Sequence, residues 1–258
     1  MSDIATSIED GVHTIRFNRP AKKNALTAAM YAAINEALAK GEADPAVVAH
    51  LFAGSGGVFS AGNDIADFVT IAKSGTGLEG PVLDFIRLLP RVTKPMIAAV
   101  DGLAVGIGTT LLFHCDLVYA TPQARFITPF LDLGVVPEAG SSLLAPRRMG
   151  HARAFELLVL GEPLSAEKAR EAGLVNAVVP ADEVEATARK AAARLARKPP
   201  QALAIARRLL RGDDAILMTR IEEEARLFSE RLASPEAQEA FAAFLEKRPP
   251  DFKRAGRS

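Results

Sequence analysis

Twice in its first half this chain runs from a short apolar stretch straight into a glycine-rich loop, and that pairing limits the folds open to it. Residues 46–53, AVVAHLFA, lead into GSGGVFSAGND; residues 96–102, MIAAVDG, lead into GLAVGIG. Such short apolar runs, bounded by glycine and followed by helical spacing, predict buried strands that alternate with helices. GVHTIRFN at 11–18 predicts a further strand, ended by Asn18-Arg19-Pro20. A helix is expected over 27–40, capped by Thr27, with Met30, Ala33, Ile34, Ala37 and Leu38 on one face. A mobile loop is expected over 73–81, then a helix to about 92. Another helix is expected from about 105, and strands at 116–120 and 125–127. From 140 onward the chain turns rich in Ala, Leu, Arg and Glu. Helices are expected near 140–149, 151–160, 165–172, 182–197, 199–211 and 217–246, with one short strand at 174–179. Lys198-Pro199-Pro200 marks a boundary, so residues 1–197 form the expected core and 198–258 a helical region with apolar faces to bury.

Composition removes several classes of function. The chain has 258 residues, 49% of them hydrophobic, enough for a full core. Its 31 basic and 31 acidic residues cancel, which leaves no nucleic-acid footprint. The small basic runs, Arg147-Arg148 and the arginines at 207, 208 and 211, read as solvated helix faces, with an anionic small ligand as the other reading. Cys115 is the single cysteine, so no intrachain disulfide is expected, and a reducing compartment such as the cytoplasm is. His13, His50, His114 and His151 are dispersed, with no metal-binding spacing. MSDIATSIEDG does not read as a signal peptide, and no uncharged apolar stretch of about eighteen residues predicts a membrane span.

The glycine motifs of familiar nucleotide sites are missing. There is no GxxxxGK[ST], the run from Gly106 to Leu111 lacks the third glycine of a dinucleotide fingerprint, and no GxSxG elbow occurs. What remains is the pair of loops at 59–65 and 102–108. Two readings are open for them. They are tight turns of small residues, or they present backbone N–H groups to one oxygen, as an oxyanion hole does.

FSAGNDI at 59–65, followed by KPMIAAVDGLAVGIG at 94–108, resembles the signature pair of the crotonase (enoyl-CoA hydratase/isomerase) superfamily. HCDLVYATPQARFITPFLDLGVVPEAGSSLLAPRRMG at 114–150 and GEPLSAEKAREAGLVNAVVP at 161–180 resemble its next two blocks, so the likeness runs from about 10 to 252. The resemblance implies an α/β fold: a crotonase-like spiral of ββα turns with a C-terminal helical region that trimerises and covers the active site. It implies a homotrimer or a dimer of trimers. It also implies a coenzyme A thioester as substrate and no separate cofactor, metal, nucleic-acid or membrane partner. By position, the oxyanion donors become the N–H groups of Asn63 and Ile107. The adenine pocket becomes backbone around Ala25, Ala61 and Ile65. Phe244 and Lys247, in FLEKRPPDF, take the place of the segment that reaches a coenzyme A phosphate, often that of a neighbouring subunit's site; Lys247 also reads as a plain surface charge.

The resemblance also divides the possible reactions. Hydratase-like members carry glutamates at positions matching Thr110 and Phe130, and neither residue here can do acid–base work at neutral pH. Glu138, in LGVVPEAG, stands where isomerase-like members carry a carboxylate, and its surroundings are most similar to the peroxisomal Δ3-Δ2-enoyl-CoA isomerases. One carboxylate suffices for a 1,3-proton shift. Phe130, Leu131, Val135 and Val136 would supply dry walls that tune it. Read without the family, Glu138 is a turn residue that starts the next helix. Asp132 competes for the acid's role, or hydrogen-bonds its own turn. Asp64 reads as shaping its loop, and His114 and Cys115 as core. A hydratase or another crotonase-type reaction, and a non-catalytic acyl-CoA binder, are the alternatives.

Overall fold

The computed structural model describes residues 2–67 and 77–255, the Arg254 side chain excepted. Much of the expected loop at 73–81 therefore lies outside the described residues. The chain opens with an antiparallel hairpin of β1 (Ile4–Glu9) and β2 (Val12–Phe17). Its turn is Asp10-Gly11, with φ of 50° and 75°. Two positive φ values at a two-residue turn match the right-handed twist of the strands. Strand β2 then pairs in parallel with β3 (Ala49–Gly54), β3 with β4 (Met96–Val100), β4 with β6 (Leu117–Ala120), and β6 with β9 (Ala177–Val178). A second, three-stranded sheet holds β5 (Leu103–Val105), β7 (Arg125–Ile127) and β8 (Leu164–Ser165), in the order β5-β7-β8.

The central strands β3 and β4 are mostly apolar because both faces of their sheet are covered. On one face Ala49, Leu51 and Ala53 of β3 and Ile97 and Ala99 of β4 meet Val184, Ala188 and Ala192 of a long helix, Val184–Ala196. The alternate residues, Phe52, Met96, Ala98 and Val100, point into the main core. Helix α1 (Ala28–Ala43) starts where Thr27 accepts a hydrogen bond from the Met30 N–H, as its capping position predicts. Helix α2 spans Pro81–Leu88. The helix expected from about 105 is a single turn, α3 (Ile107–Thr110), followed by a 3-10 turn at Leu111–Phe113. Helix α4 (Ser141–Leu158) is broken at Gly150 (φ 77°, ψ 160°), at the junction between the two helices expected there. Helices α5 (Ala166–Glu171), α6 (Val184–Ala196) and α7 (Pro200–Arg211) follow. The single helix expected over 217–246 is two, α8 (Asp214–Leu232) and α9 (Pro235–Glu246). Ser234 accepts from the Ala237 N–H and Pro235 takes the first helical position, so α9 has its own start. Leu217, Ile221, Phe228 and Phe241 bring both helices into the main core. A short helix, α10, spans Phe252–Ala255. Among the described residues no helix is long and apolar enough to cross a membrane.

Of the basic runs expected as solvated helix faces, Arg147, Arg148 and Arg208 are exposed, and Arg207 is the exception. Arg207 is 8% exposed and donates to Asp116 Oδ2 (2.8 Å) and to the carbonyls of Val92 (2.6 Å) and Thr93 (3.1 Å). Arg148 donates to the carbonyls of Leu112 and Cys115. A guanidinium offers five donors in one plane, so it can be buried where several carbonyls end together.

His13 and His50 face each other across β2 and β3, their Nδ1 atoms 3.1 Å apart. Gly41 permits this: a Cβ there would lie 2.5 Å from His13 Nδ1. His50 Nε2 lies 3.0 Å from Glu42 Oε1. Burial raises the Glu42 carboxyl, but hydrogen bonds from His50, Thr93 and Lys94 outweigh it and bring it down to about 2. The ionised carboxylate only accepts, so His50 Nε2 carries a proton, and in neutral His50 the Nδ1 must accept from His13. Burial, then the charge of His50, lowers His13 to about 4. The folded protein therefore favours neutral His13. That stability is present above the unfolded value of about 6.5 and is lost as pH falls toward 4. The thermal midpoint is expected to fall between pH 6.5 and 4, and His13→Asn to flatten that fall. An unchanged slope in the variant removes His13 from the acid response.

Candidate active site

The two glycine loops are stitched side by side. The Phe59 and Ser60 N–H groups donate to the Leu103 carbonyl at 3.1 and 2.9 Å, and the Val105 N–H donates to the Ser60 carbonyl at 2.9 Å. At Gly62 (φ 84°) a Cβ would lie 2.8 Å from the Val105 oxygen, so only glycine lets the loops close this far. Below them, Ser60 Oγ accepts from the Gly62 N–H and donates to the Asn24 carbonyl. Asn24, fully buried, donates from its amide to the carbonyls of Ser55 (2.9 Å) and Val58 (2.6 Å). Sequence reasoning missed this organising role, although an asparagine in Lys-Lys-Asn-Ala, after a proline turn, is a residue type that accepts its φ of 56°.

Asn63 and Ile107 follow these glycines. Among the described residues neither backbone N–H has an acceptor. The Asn63 side chain is occupied, with Oδ1 accepting from the Tyr31 hydroxyl. Both residues line a cavity of about 600 Å³, within the range of small-molecule sites. Ala25, Ala61, Ile65, Glu138 and Phe244 line it too, so seven of the eight expected site residues come together. Lys247 does not. It ends helix α9 with φ of 55°, exposed, and the cations on the cavity are Lys22 and Arg248. Of the expected apolar walls Phe130 and Val135 are present, while Leu133 stands in for Leu131 and Val136. Phe228 of α8 and Ala240 and Phe241 of α9 close the cavity from the chain's own C-terminal helices.

Glu138 is 4% exposed, and Thr110 Oγ1 donates to its Oε1 at 2.5 Å. Burial pushes its carboxyl up to about 8. The Thr110 hydrogen bond opposes that rise, and the charge of Glu224 adds to it. Asp132 lines the cavity but is exposed. Asp64 Oδ2 accepts from Arg19 at 2.7 Å and its Oδ1 from the Ala66 N–H, and the Arg19 bond holds the carboxyl below its ordinary value. It shapes its loop. Burial raises the Cys115 thiol to about 12 and lowers His114 to about 3, so neither is a nucleophile or a base in waiting.

The enoyl-CoA hydratase/isomerase family model matches residues 7–255. The chain is 37% identical over 252 residues to enoyl-CoA delta isomerase 2 of Rattus norvegicus, covering 95% of this chain and 64% of that protein's length. It is 34% identical to 2,3-dehydroadipyl-CoA hydratase of Escherichia coli, covering 98% of this chain and 99% of the relative. The structure of Pseudomonas aeruginosa OdaA superposes with a TM-score of 0.90 at 46% identity, over 95% of this chain and 99% of the other. A spiral α/β core, paired glycine loops and a match along nearly the whole sequence agree on one assignment: the chain is an enzyme of the enoyl-CoA hydratase/isomerase family, with the crotonase fold.

Proposed function

We propose that the protein is an enoyl-CoA isomerase that moves a 3-enoyl double bond to the 2-position. One observation carries this reading. A single buried carboxyl, Glu138, shares an apolar cavity with two backbone N–H groups that have no acceptor among the described residues. The thioester oxygen would accept from the amides of Asn63 and Ile107. The Glu138 carboxylate takes a proton from C2, and the C–H electrons spread over the C1–C4 dienolate, with the negative charge on that oxygen. Glu138 then returns the proton to C4, which leaves the double bond between C2 and C3. A carboxyl raised to about 8 is a stronger base than an ordinary one, and its protonated form is stable enough to deliver the proton.

Lys22, Arg248 and Phe244 sit where the coenzyme's anionic portion can be met, with Ala25, Ala61 and Ile65 along its path. Ile205, Leu209 and Leu210 of α7 are 50%, 73% and 89% exposed, which supports a second copy covering that helix in a trimer. A hydratase is the second reading, favoured by the full-length likeness to the E. coli hydratase. Hydration calls on a second acid, and the only other carboxyl among the described lining residues besides the Arg19-paired Asp64 is the exposed Asp132. Incubation with a 3-enoyl-CoA in D₂O is expected to yield 2-enoyl-CoA. Incubation with 2-enoyl-CoA is expected to yield little 3-hydroxyacyl-CoA. Rapid formation of the hydroxy product would replace the isomerase with the hydratase.

A further inference from the structure

The backbone just after Glu138 is strained. Ala139 has φ of 57° and Gly140 of 71°, so two successive residues lie in the left-handed region before α4 begins at Ser141. For alanine this conformation is unfavourable and persists only where the surroundings over-determine it. Two buried side chains from elsewhere grip the turn. His114 donates from Nε2 to the Ala139 carbonyl at 2.7 Å. Glu224 of α8, 5% exposed, accepts from the Gly140 N–H (2.6 Å), the Ser142 N–H (3.0 Å) and the Ser142 hydroxyl (2.5 Å). Both of its oxygens receive main-chain N–H donors, which favour the ionised form; burial, the larger influence, raises the Glu224 carboxyl. The same helix presses on the turn, since a Cβ at Gly140 would lie 2.5 Å from Leu217 Cδ1.

We infer that Glu224 is a positioning residue for proton transfer at Glu138: with His114 it locks the 138–142 turn so that Glu138 is held in the cavity. This inference rests on the isomerase reading only for its kinetic consequence. The group whose charge bears on Glu138 is Glu224 from α8, and Thr110 from α3 bonds it; burial, then the charge of Glu138, raises the Tyr31 hydroxyl of α1. Arg220 faces Glu224 and reaches Ser142 Oγ at 3.3 Å. Burial contributes most to the raised Glu138 value, and the Glu224 charge acts in the same direction.

Glu224→Gln keeps the size and one acceptor but removes the charge. Two measurements test it: titration of Glu138 by NMR on glutamate-labelled protein, assigned with Glu138→Gln, and deuterium exchange at C2 of butanoyl-CoA. In Glu224→Gln the Glu138 midpoint is expected to move down by roughly 0.5–1 unit. Exchange at saturating thioester is expected to fall roughly 10- to 100-fold, with KM little changed. If Glu224→Gln folds poorly, Ser142→Ala removes the hydroxyl's bonds with Glu224 and Arg220 and leaves the Glu224 carboxyl and its two main-chain donors in place. It is expected to slow exchange a few-fold without moving the midpoint. An unmoved midpoint and an undiminished exchange rate in Glu224→Gln overturn the inference. A moved midpoint in a protein that does not isomerise 3-enoyl-CoA sinks the isomerase reading and leaves the role of Glu224 intact.

Discussion

A Glu138→Gln protein is expected to fold normally and to isomerise 3-enoyl-CoA roughly 10³-fold more slowly than the parent, near the middle of the range for loss of a general base. Glutamine has the shape of glutamate, and its carbonyl can still accept from Thr110 Oγ1. Its amide cannot take the C2 proton. The same substitution has a second, opposite signature. The Glu138 carboxyl rises on folding to about 8, above its ordinary 4.5, so folding favours the protonated form. That contribution is fully present below pH 4.5 and is lost as pH rises through about 8. Glutamine has no such dependence. The variant should therefore gain thermal midpoint relative to the parent between pH 6 and pH 9, while losing catalysis at every pH. In the parent, kcat/KM should rise with pH through about 8, because the free enzyme's base must be ionised to act. Turnover in the variant within tenfold of the parent would show that another group carries the proton.

Local signals in the chain were legible where the physics is local. Thr27 caps α1 because a threonine ahead of helical spacing can reach the third amide, and Gly150 interrupts α4 because only glycine accepts its dihedrals readily. The same logic applies to the hairpin at Asp10-Gly11, a turn signal beside a strand, Ile4–Glu9, whose apolar alternation is weak. It would also have split 217–246, since Ser234-Pro235 is a helix start in the midst of continuous apolar spacing. Most of the cavity followed from motif position, because the strands that carry the glycine loops hold them in register. Lys247 lies off the chain's own cavity at the end of α9, and Arg248 lines it. The partnerships that organise the site were hidden for a different reason. Glu224 meets the turn from more than eighty residues away, and Arg207 meets Asp116 across 91. No periodicity or composition within a window encodes such a meeting. It exists only once α7 and α8 have docked.

Gly62→Ala is expected to lower turnover by about 10²–10³-fold, the usual effect of losing one oxyanion donor. Gly62 has φ of 84°, and a Cβ there would lie 2.8 Å from the Val105 oxygen and 3.3 Å from its carbonyl carbon. Backbone cannot yield as a side-chain tip does. The loops must part, and the Asn63 amide, one bond along, moves with them. Destabilisation alone could mimic this loss, so a control with backbone strain elsewhere is needed. Gly212 ends α7 with φ of 81°, and nothing lies within 4 Å of where its Cβ would be. With ψ of −150° Gly212 lies in a region that only glycine adopts readily, so Gly212→Ala should cost about 1–3 kcal/mol in backbone strain and keep its turnover. The diagnostic result is a fall in thermal midpoint for both variants, with activity lost in Gly62→Ala alone at temperatures where both are folded. The Glu138 midpoint should stay near 8 in each, because neither substitution touches the carboxyl or Glu224. Full activity in a folded Gly62→Ala protein would mean that the Asn63 amide does not hold the thioester oxygen.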